Sequence, residues 1–246
     1  MALREELEKE GYWLFQRRSY LPLVTALLVL TALKHSTYLG RGHEISPSWE
    51  LFCLVISGSG LAVRALAAGC APKGTSGRTL QTQVAESLNT TGMYSVVRHP
   101  LYLGNFLITL GVSLLPRVWW LSVIITLLFW LYYERIMLAE EEFLRKKFGE
   151  AYLAWANRTP AFLPRFHRWR RSSVPFSLRR VMKRENSSIF GVISTFALID
   201  VISERLAEGR WTVDRPWVIA YAGSILLYAT LRFLSKRTTL LESPGH

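Results

Sequence analysis

The sequence predicts an all-α fold: a polytopic helical membrane protein with about six membrane segments including a helical hairpin, a cytoplasmic helix and a C-terminal lid. Three observations predict it. Half of the 246 residues are hydrophobic, these residues fall in blocks between charged stretches, and Lys and Arg are concentrated on one side of the predicted crossings. Such blocks are typical of membrane helices, because a helix satisfies its own backbone hydrogen bonds in lipid.

Six apolar blocks are the predicted membrane segments, and only the second has the roughly 20 residues that a crossing needs. The other five are short, so we expect them to use flanking residues, to tilt little, or to pack as a hairpin buried in protein. The blocks are residues 20–33, 49–69, 103–115, 118–133, 189–202 and 217–231.

The distribution of basic residues predicts the orientation. Six crossings would place 23 of the 30 Lys and Arg residues on the side of both termini and six on the other side. Because orientation follows this bias in short loops, we expect both termini to be cytoplasmic. The net charge of +12 lies next to membrane segments, where it attracts anionic lipid. We therefore expect the membrane, and not nucleic acid, as the partner of the basic residues.

The N-terminal stretch predicts a helix that lies in the membrane interface. Four glutamates precede the first apolar block, which is not the pattern of a cleaved signal peptide. Apolar residues interleave with them at helical spacing and predict an amphipathic interfacial helix: Leu3, Leu7, Leu14 and Phe15. Residues 1–48 are therefore a predicted zone made of this helix and the first membrane segment.

A polar motif occupies residues 92–104, after a predicted exposed loop at 73–89. Pro100 disfavours helix for the residue before it and needs no amide hydrogen in the first turn, so it fits a junction from extended chain to helix. Arg98 and His99 would then lie at a helix N-terminus, where amide hydrogens favour anions. We expect a carboxylate or a phosphate as the ligand at this helix N-terminus.

A second polar segment, Glu140 to Glu142, follows the fourth apolar block. The predicted helix continues to Trp155 as an amphipathic pattern and ends before Pro160. Carboxylates this close to a bilayer are costly unless they are used, and a cationic ligand would use them. The alternative is an ordinary interfacial helix with solvated acids.

Together these segments resemble the isoprenylcysteine carboxyl methyltransferase and phospholipid methyltransferase family of membrane enzymes. The likeness covers roughly residues 60–164. It rests on two ordered sets: Arg98-His99-Pro100-Leu101-Tyr102-Leu103-Gly104, and Glu140-Glu141, Leu144, Phe148-Gly149, Tyr152 and Pro164. The resemblance implies a helical bundle that binds S-adenosylmethionine on its cytoplasmic side and takes a lipid acceptor from the bilayer. Two positions depart from the family: Trp155 replaces a tyrosine-like aromatic, and Ala161 replaces a frequent arginine.

The apolar blocks divide the rest of the chain into two further zones, and the resemblance assigns a role to the first of them. Residues 49–165 are the expected methyltransferase core, and 166–246 are a basic linker with two accessory membrane helices that serve packing, dimerisation into a homo-oligomer or acceptor choice. The residues assigned to the cofactor, by resemblance and by charge, are Arg98, His99, Tyr102, Gly104, Glu140 and Glu141.

The expected catalytic residues are Glu140, Arg135 and Arg64, the two arginines because either could orient an anionic acceptor. The alternative for Arg64 is a structural pairing with a carbonyl or a glutamate. No metal is expected, because the sulfonium already activates the methyl group and alignment is the main task. An ionised carboxylate or phosphate acceptor needs no general base, whereas an amine acceptor does.

Two other functions stay open at this point. A membrane sterol or lipid reductase that uses NADPH shares the Arg-His-Pro motif, but such enzymes typically have Asn and Glu where this chain has Leu101 and Asn105. A non-catalytic lipid-binding protein is the other alternative. The acceptor is likewise open between an isoprenylated cysteine, a phospholipid amine and a glycolipid phosphate, with the many arginines favouring an anionic group.

Overall fold

The computed structural model describes residues 3–17, 20–38, 46–72, 85–209, 211 and 214–238, and these residues form eight α-helices. The helices are α1 Leu3–Arg17, α2 Leu21–Tyr38, α3 Pro47–Gly69, α4 Pro100–Leu114, α5 Trp119–Phe148, α6 Glu150–Ala156, α7 Leu178–Glu208 and α8 Arg215–Arg237. The predicted all-α class is therefore confirmed. Most of the predicted loop 73–89 lies outside the described residues.

Each predicted apolar block lies in one helix to within one residue at the block's ends, but fewer than six described helices have the length and composition of a crossing. Within the described residues three helices do: α3, α5 and α8. Two shorter apolar helices, residues 23–34 and α4, accompany them. Helix α7 is long, but its first turns carry the charged residues of the basic linker. The chain is thus an integral membrane protein. The predicted six crossings exceed the three described helices that have the length and composition of a crossing.

Proline and glycine set the helix boundaries that matter for the site. Helices α3 and α4 begin with proline at the first position, where no amide hydrogen is needed. Gly149, at φ +52°, lies in the left-handed half of backbone space and separates α5 from α6. After α6 the chain is largely non-helical until α7 begins, and residues 158–176 of this stretch are called the lid below.

Helices α3 and α4 pack in close contact through glycines. A Cβ atom at Gly60 would lie 2.5 Å from the carbonyl oxygen of Gly104, and one at Gly111 would lie 2.5 Å from the carbonyl oxygen of Cys53. Small residues at such crossings let helix backbones approach closely in membrane proteins. Away from the polar motif, a fully buried apolar layer joins α2, α3, α4, α5 and α7; it includes Leu33, Cys53, Leu115, Leu121 and Phe196.

The predicted N-terminal helix is formed as α1, and it packs along α5. Glu8 pairs with Lys146 and Glu10 pairs with Arg135, each at 2.7 Å. Phe15, at the end of α1, is buried in a cluster with residues of α4 and α5. The helix is therefore fixed to the part of α5 that leads to the acidic residues.

Candidate active site

The polar motif forms a tight turn followed by the start of α4. Gly92, at φ +60°, precedes a 3₁₀ turn at Met93–Ser95, and Val96 and Val97 are fully buried beyond it. Helix α4 begins at Pro100, with His99 as its N-cap residue. The junction predicted from Pro100 is thus confirmed.

The lid is fastened to this turn mainly by backbone hydrogen bonds. The amide of Arg98 donates to the carbonyl of Pro160 at 2.8 Å, and that of His99 donates to Ala161 at 3.2 Å. The Trp155 indole N–H donates to the carbonyl of Tyr94 at 2.9 Å. At the two positions that depart from the family, Ala161 makes its contact through its backbone carbonyl, and Trp155 makes its contact through its own indole. The amides of Arg98 and His99 are engaged by the lid, so they are not available to an anion.

Carboxylates from α5 converge on the residue that precedes α4. Nε2 of His99 lies 2.9 Å from Glu141 Oε1, and its Nδ1 lies 3.6 Å from Glu140 Oε2. Arg98 Nη1 lies 3.1 Å from Glu141 Oε2, and the Tyr102 hydroxyl donates to Glu140. These residues are called the carboxylate cluster below. Five of the six residues assigned to the cofactor are thus brought together, although some 40 positions separate the two motifs.

His99 is the buried centre of the carboxylate cluster, with 6% of its side chain exposed, while about a quarter of Glu140 and of Glu141 is exposed. Burial by itself lowers the pKa of His99, but the hydrogen bonds and charges of Glu140 and Glu141 outweigh it, and the net pKa is raised. The imidazole therefore favours its protonated form, in which Nε2 donates to Glu141 and the positive charge of the ring attracts Glu140.

Two buried polar groups beside Glu141 receive no hydrogen bond from the carboxylate cluster and donate none to it. Nε of Arg98 has no hydrogen-bond partner among the described residues. The buried hydroxyl of Tyr152 lies beside Glu141 and Arg98, and burial, followed by the charge of Glu141, raises its pKa. In the sequence Tyr152 reads as part of an apolar stripe, so its polar role was missed; its place in the second family set was the available signal.

Gly104, the sixth predicted cofactor residue, contacts α3 instead of the carboxylate cluster. A Cβ at Gly104 would lie 2.8 Å from the carbonyl oxygen of Gly60 and 3.1 Å from Cδ of Arg64. Its missing side chain leaves room for Arg64 to extend across α4. Arg64 pairs with Glu185 of α7 at 2.7 Å and donates to Asn105. The structural pairing with a glutamate that the sequence left open is the one observed.

Arg135 lies on a different face of α5 from the acids. Its Nε pairs with Glu10 at 2.7 Å, and Nη1 donates to the carbonyl of Leu131. Among the described residues no ion pair joins Arg135 to Glu140 or Glu141. At about 100° per residue, a separation of five positions places Arg135 roughly 140° around the helix from Glu140. The structure therefore does not bring Arg135 into the carboxylate cluster.

Aromatic rings from α4, α5 and the lid lie next to Tyr102. The ring centroids of Tyr102 and Tyr133 are 4.7 Å apart, and those of Tyr133 and Phe129 are 4.2 Å apart. Phe162 of the lid contacts Phe106 at 5.6 Å. Sequence reasoning passed over these rings. Pairs at i and i+4 on both helices, Tyr102 with Phe106 and Phe129 with Tyr133, were the signal that could have found them.

Comparison with known proteins finds similar sequences for the segment that holds the carboxylate cluster. Residues 52–151 match the model of the phospholipid methyltransferase family. The nickel-cobalt-cadmium resistance protein NccN of Alcaligenes xylosoxydans xylosoxydans is 40% identical over 87 residues, and the cobalt-zinc-cadmium resistance protein CzcN of Cupriavidus metallidurans is 38% identical over 88. A protein-S-isoprenylcysteine O-methyltransferase of Schizosaccharomyces pombe is 31% identical over 77 residues.

These likenesses are partial. They cover 35%, 36% and 31% of this chain, and 40%, 40% and 33% of the relatives' own length, in the same order. No solved structure matches the chain. The matched segment 52–151 nevertheless holds α4, the Arg-His-Pro motif and both cluster glutamates. Residues 52–151 are therefore similar to the phospholipid methyltransferase family, and part of the chain is similar to an isoprenylcysteine methyltransferase.

Proposed function

We propose that the protein is a methyltransferase that uses S-adenosylmethionine to methylate the polar group of a lipid or lipidated acceptor at the cytoplasmic membrane face. The observation that carries the proposal is the carboxylate cluster. It joins His99, before α4, to Glu140 and Glu141 on α5 within the family segment.

The residues present fit this cofactor in charge and in hydrogen bonding. A sulfonium, an ammonium and ribose hydroxyls all favour carboxylates, and Glu140 and Glu141 are a quarter exposed. The carboxylate of the cofactor favours a guanidinium, and the buried Nε of Arg98 has no hydrogen-bond partner among the described residues. We propose that these three residues hold the cofactor, together with Tyr102 and His99. When bound, S-adenosylmethionine supplies a methyl group that the sulfonium has already activated.

The chain's own residues would then act by positioning. His99 and Tyr102 donate to the glutamates and fix their carboxylates before any ligand arrives, which lowers the cost of organising the site. The lid fastened to Arg98 and His99 covers the start of α4 and limits access of water.

The state of His99 supports an acceptor that is already ionised. With a raised pKa and carboxylates at both nitrogens, the imidazole is arranged to donate protons and not to remove one. A carboxylate or phosphate acceptor needs no base, whereas an ammonium group must first lose a proton. We therefore propose an anionic group of the lipid as the acceptor. The name of the fission yeast relative, which refers to a lipidated cysteine, agrees with a carboxylate.

Binding and transfer by the purified full chain in lipid nanodiscs test the proposal. We expect S-adenosylmethionine and its demethylated product to bind in calorimetry, and NADPH not to bind. NADPH binding alone would indicate a reductase, and binding of neither would indicate a non-catalytic protein. Transfer of a labelled methyl group is then measured to an S-prenylated cysteine, to phosphatidic acid and to phosphatidylethanolamine. Transfer to the amine alone would contradict an anionic acceptor.

Both termini are proposed to lie on the cytoplasmic side, as the distribution of basic residues indicates. A reporter active only outside the cytoplasm, fused after residue 246, should be inactive. An active reporter would place the C-terminus on the opposite side of the membrane and contradict the proposed orientation.

A further inference from the structure

We infer that Glu185, on α7 and outside the family segment, is a positioning residue of the same site. It holds Arg64 in the orientation that fixes Asn105 and Tyr133 beside Tyr102 and the carboxylate cluster. This inference rests on the proposed function. It makes α7, which sequence reasoning set apart as an accessory helix, a part of the acceptor side of the site.

Glu185 and Arg64 form a two-point ion pair in the interior. Glu185 is 3% exposed, and its two oxygens lie 2.7 Å from Nε and 3.1 Å from Nη2 of Arg64. The hydroxyl of Ser188, one turn further along α7, lies 3.3 Å from Nη2. Paired hydrogen bonds of this kind fix the plane of a guanidinium as well as its position.

The orientation of Arg64 determines that of Asn105. A guanidinium only donates, so the side-chain oxygen of Asn105 must face Nη1 of Arg64. The amide nitrogen of Asn105 then faces the other way, and it donates to the hydroxyl of Tyr133 at 3.2 Å. If Arg64 turned, the amide of Asn105 would lose the contact that defines its orientation.

Tyr133 connects this second network to the carboxylate cluster. Its ring is 4.7 Å from that of Tyr102, whose hydroxyl donates to Glu140. A continuous series of contacts therefore runs from Glu185 on α7 through α3, α4 and α5 to a residue proposed to hold the cofactor. Arg64 and Tyr133 belong to α3 and α5, two of the helices with the length and composition of a membrane crossing, so the contacts reach Tyr102 from the side of the proposed lipid acceptor.

Stability alone does not require charges at Arg64 and Glu185. Removing two charged groups from water is costly, and replacing a buried ion pair by apolar residues of similar volume is often neutral or stabilising. Removing one partner alone is destabilising, because it leaves a buried charge unpaired. This difference separates a positioning role from a purely structural one, because only a positioning role needs the ion pair after stability has been restored.

The test compares variants of the full chain in nanodiscs, with whichever of the three acceptor probes receives the methyl group. In Glu185→Gln we expect kcat/KM for the acceptor to fall on the order of tenfold, with the affinity for S-adenosylhomocysteine within about twofold of wild type. The paired variant Arg64→Met with Glu185→Leu should regain the wild-type unfolding midpoint and still show the low kcat/KM. Asp200→Asn, which alters another carboxylate on α7, is the control and should leave kcat/KM unchanged.

Recovery of turnover together with stability in the paired variant would overturn the inference, and so would an unchanged kcat/KM in folded Glu185→Gln. A wild-type protein that neither binds S-adenosylmethionine nor transfers a methyl group is a different outcome. It would overturn the proposed function itself. If only the affinity for S-adenosylhomocysteine fell in Glu185→Gln, the network would serve the cofactor and not the acceptor side.

Discussion

The charged residues at His99 and those between α1 and α5 are arranged in two different ways. At His99, two carboxylates converge on one imidazole that is 6% exposed, and the guanidinium of Arg98 pairs with one of them, that of Glu141. Between α1 and α5 two cationic partners are exposed: the side chains of Lys146 and Arg4 are 61% and 56% exposed, while their partners Glu8 and Glu142 are 20% and 16% exposed. Exposed pairs contribute little, about 0–1 kcal/mol each. A buried residue shared by two carboxylates, more than the number of charges, therefore distinguishes the candidate site from a helix docking surface.

The largest expected effect comes from removing a member of the carboxylate cluster. In Glu141→Ala or His99→Ala we expect turnover to fall at least about a hundredfold, because the preorganised carboxylate is lost, while the protein still inserts and folds. Labelled methyl transfer measures turnover, and size exclusion with circular dichroism checks folding. Glu142→Ala is a matched control, since the neighbouring Glu142 pairs with Arg4 of α1. An equal loss in Glu142→Ala would contradict the distinction between the two regions.

A smaller effect is expected at Glu140, which the Tyr102 hydroxyl fixes. Glu140→Ala should weaken binding of S-adenosylhomocysteine on the order of tenfold, and Tyr102→Phe should weaken it less, because one hydrogen bond to a charged group is lost. Calorimetry measures both. If Tyr102→Phe had the larger effect, the aromatic rings and not the carboxylate would dominate binding.

The raised pKa of His99 predicts how stability depends on pH. A group whose pKa is higher in the folded state than in the unfolded state stabilises the fold fully below its unfolded pKa, here about 6.5. That contribution is lost as pH rises through the raised pKa. The thermal midpoint of the ligand-free protein should therefore decrease over that range, and His99→Gln should remove the decrease. A wild-type midpoint that is constant across this range would contradict the raised pKa.

What could be predicted from the sequence followed local rules. The start of α4 at Pro100 and the acids on α5 depend on neighbouring residues and on helical spacing, and both were found. The pairing of Arg64 with Glu185 joins positions 121 apart, and no local pattern points to it. The predicted number of membrane segments was generous for a related reason. An apolar block of about 14 residues suits a short helix buried in protein as well as a crossing, and only packing distinguishes the two.

The smallest effect, and the one that best sharpens the comparison, concerns Arg135. Sequence position suggested that Arg135 orients the acceptor, and such a role predicts a roughly thirtyfold rise in KM for the acceptor in Arg135→Ala, equivalent to about 2 kcal/mol. The structure places Arg135 in the docking region, paired with Glu10 and 30% exposed. We therefore expect Arg135→Ala to change the acceptor KM less than about threefold and to lower stability by about 0–1 kcal/mol.

A double-mutant cycle with Glu10→Ala distinguishes the two roles of Arg135. If the residue only docks α1 onto α5, the stability losses of the two single variants should coincide with that of the pair, because either change removes the same ion pair. Kinetics should then be nearly unchanged in all three. A thirtyfold rise in acceptor KM in Arg135→Ala that Glu10→Ala does not reproduce would return Arg135 to the acceptor side. The acceptor would then bind on the face of α5 that α1 partly covers, and α1 would belong to the site instead of to its support.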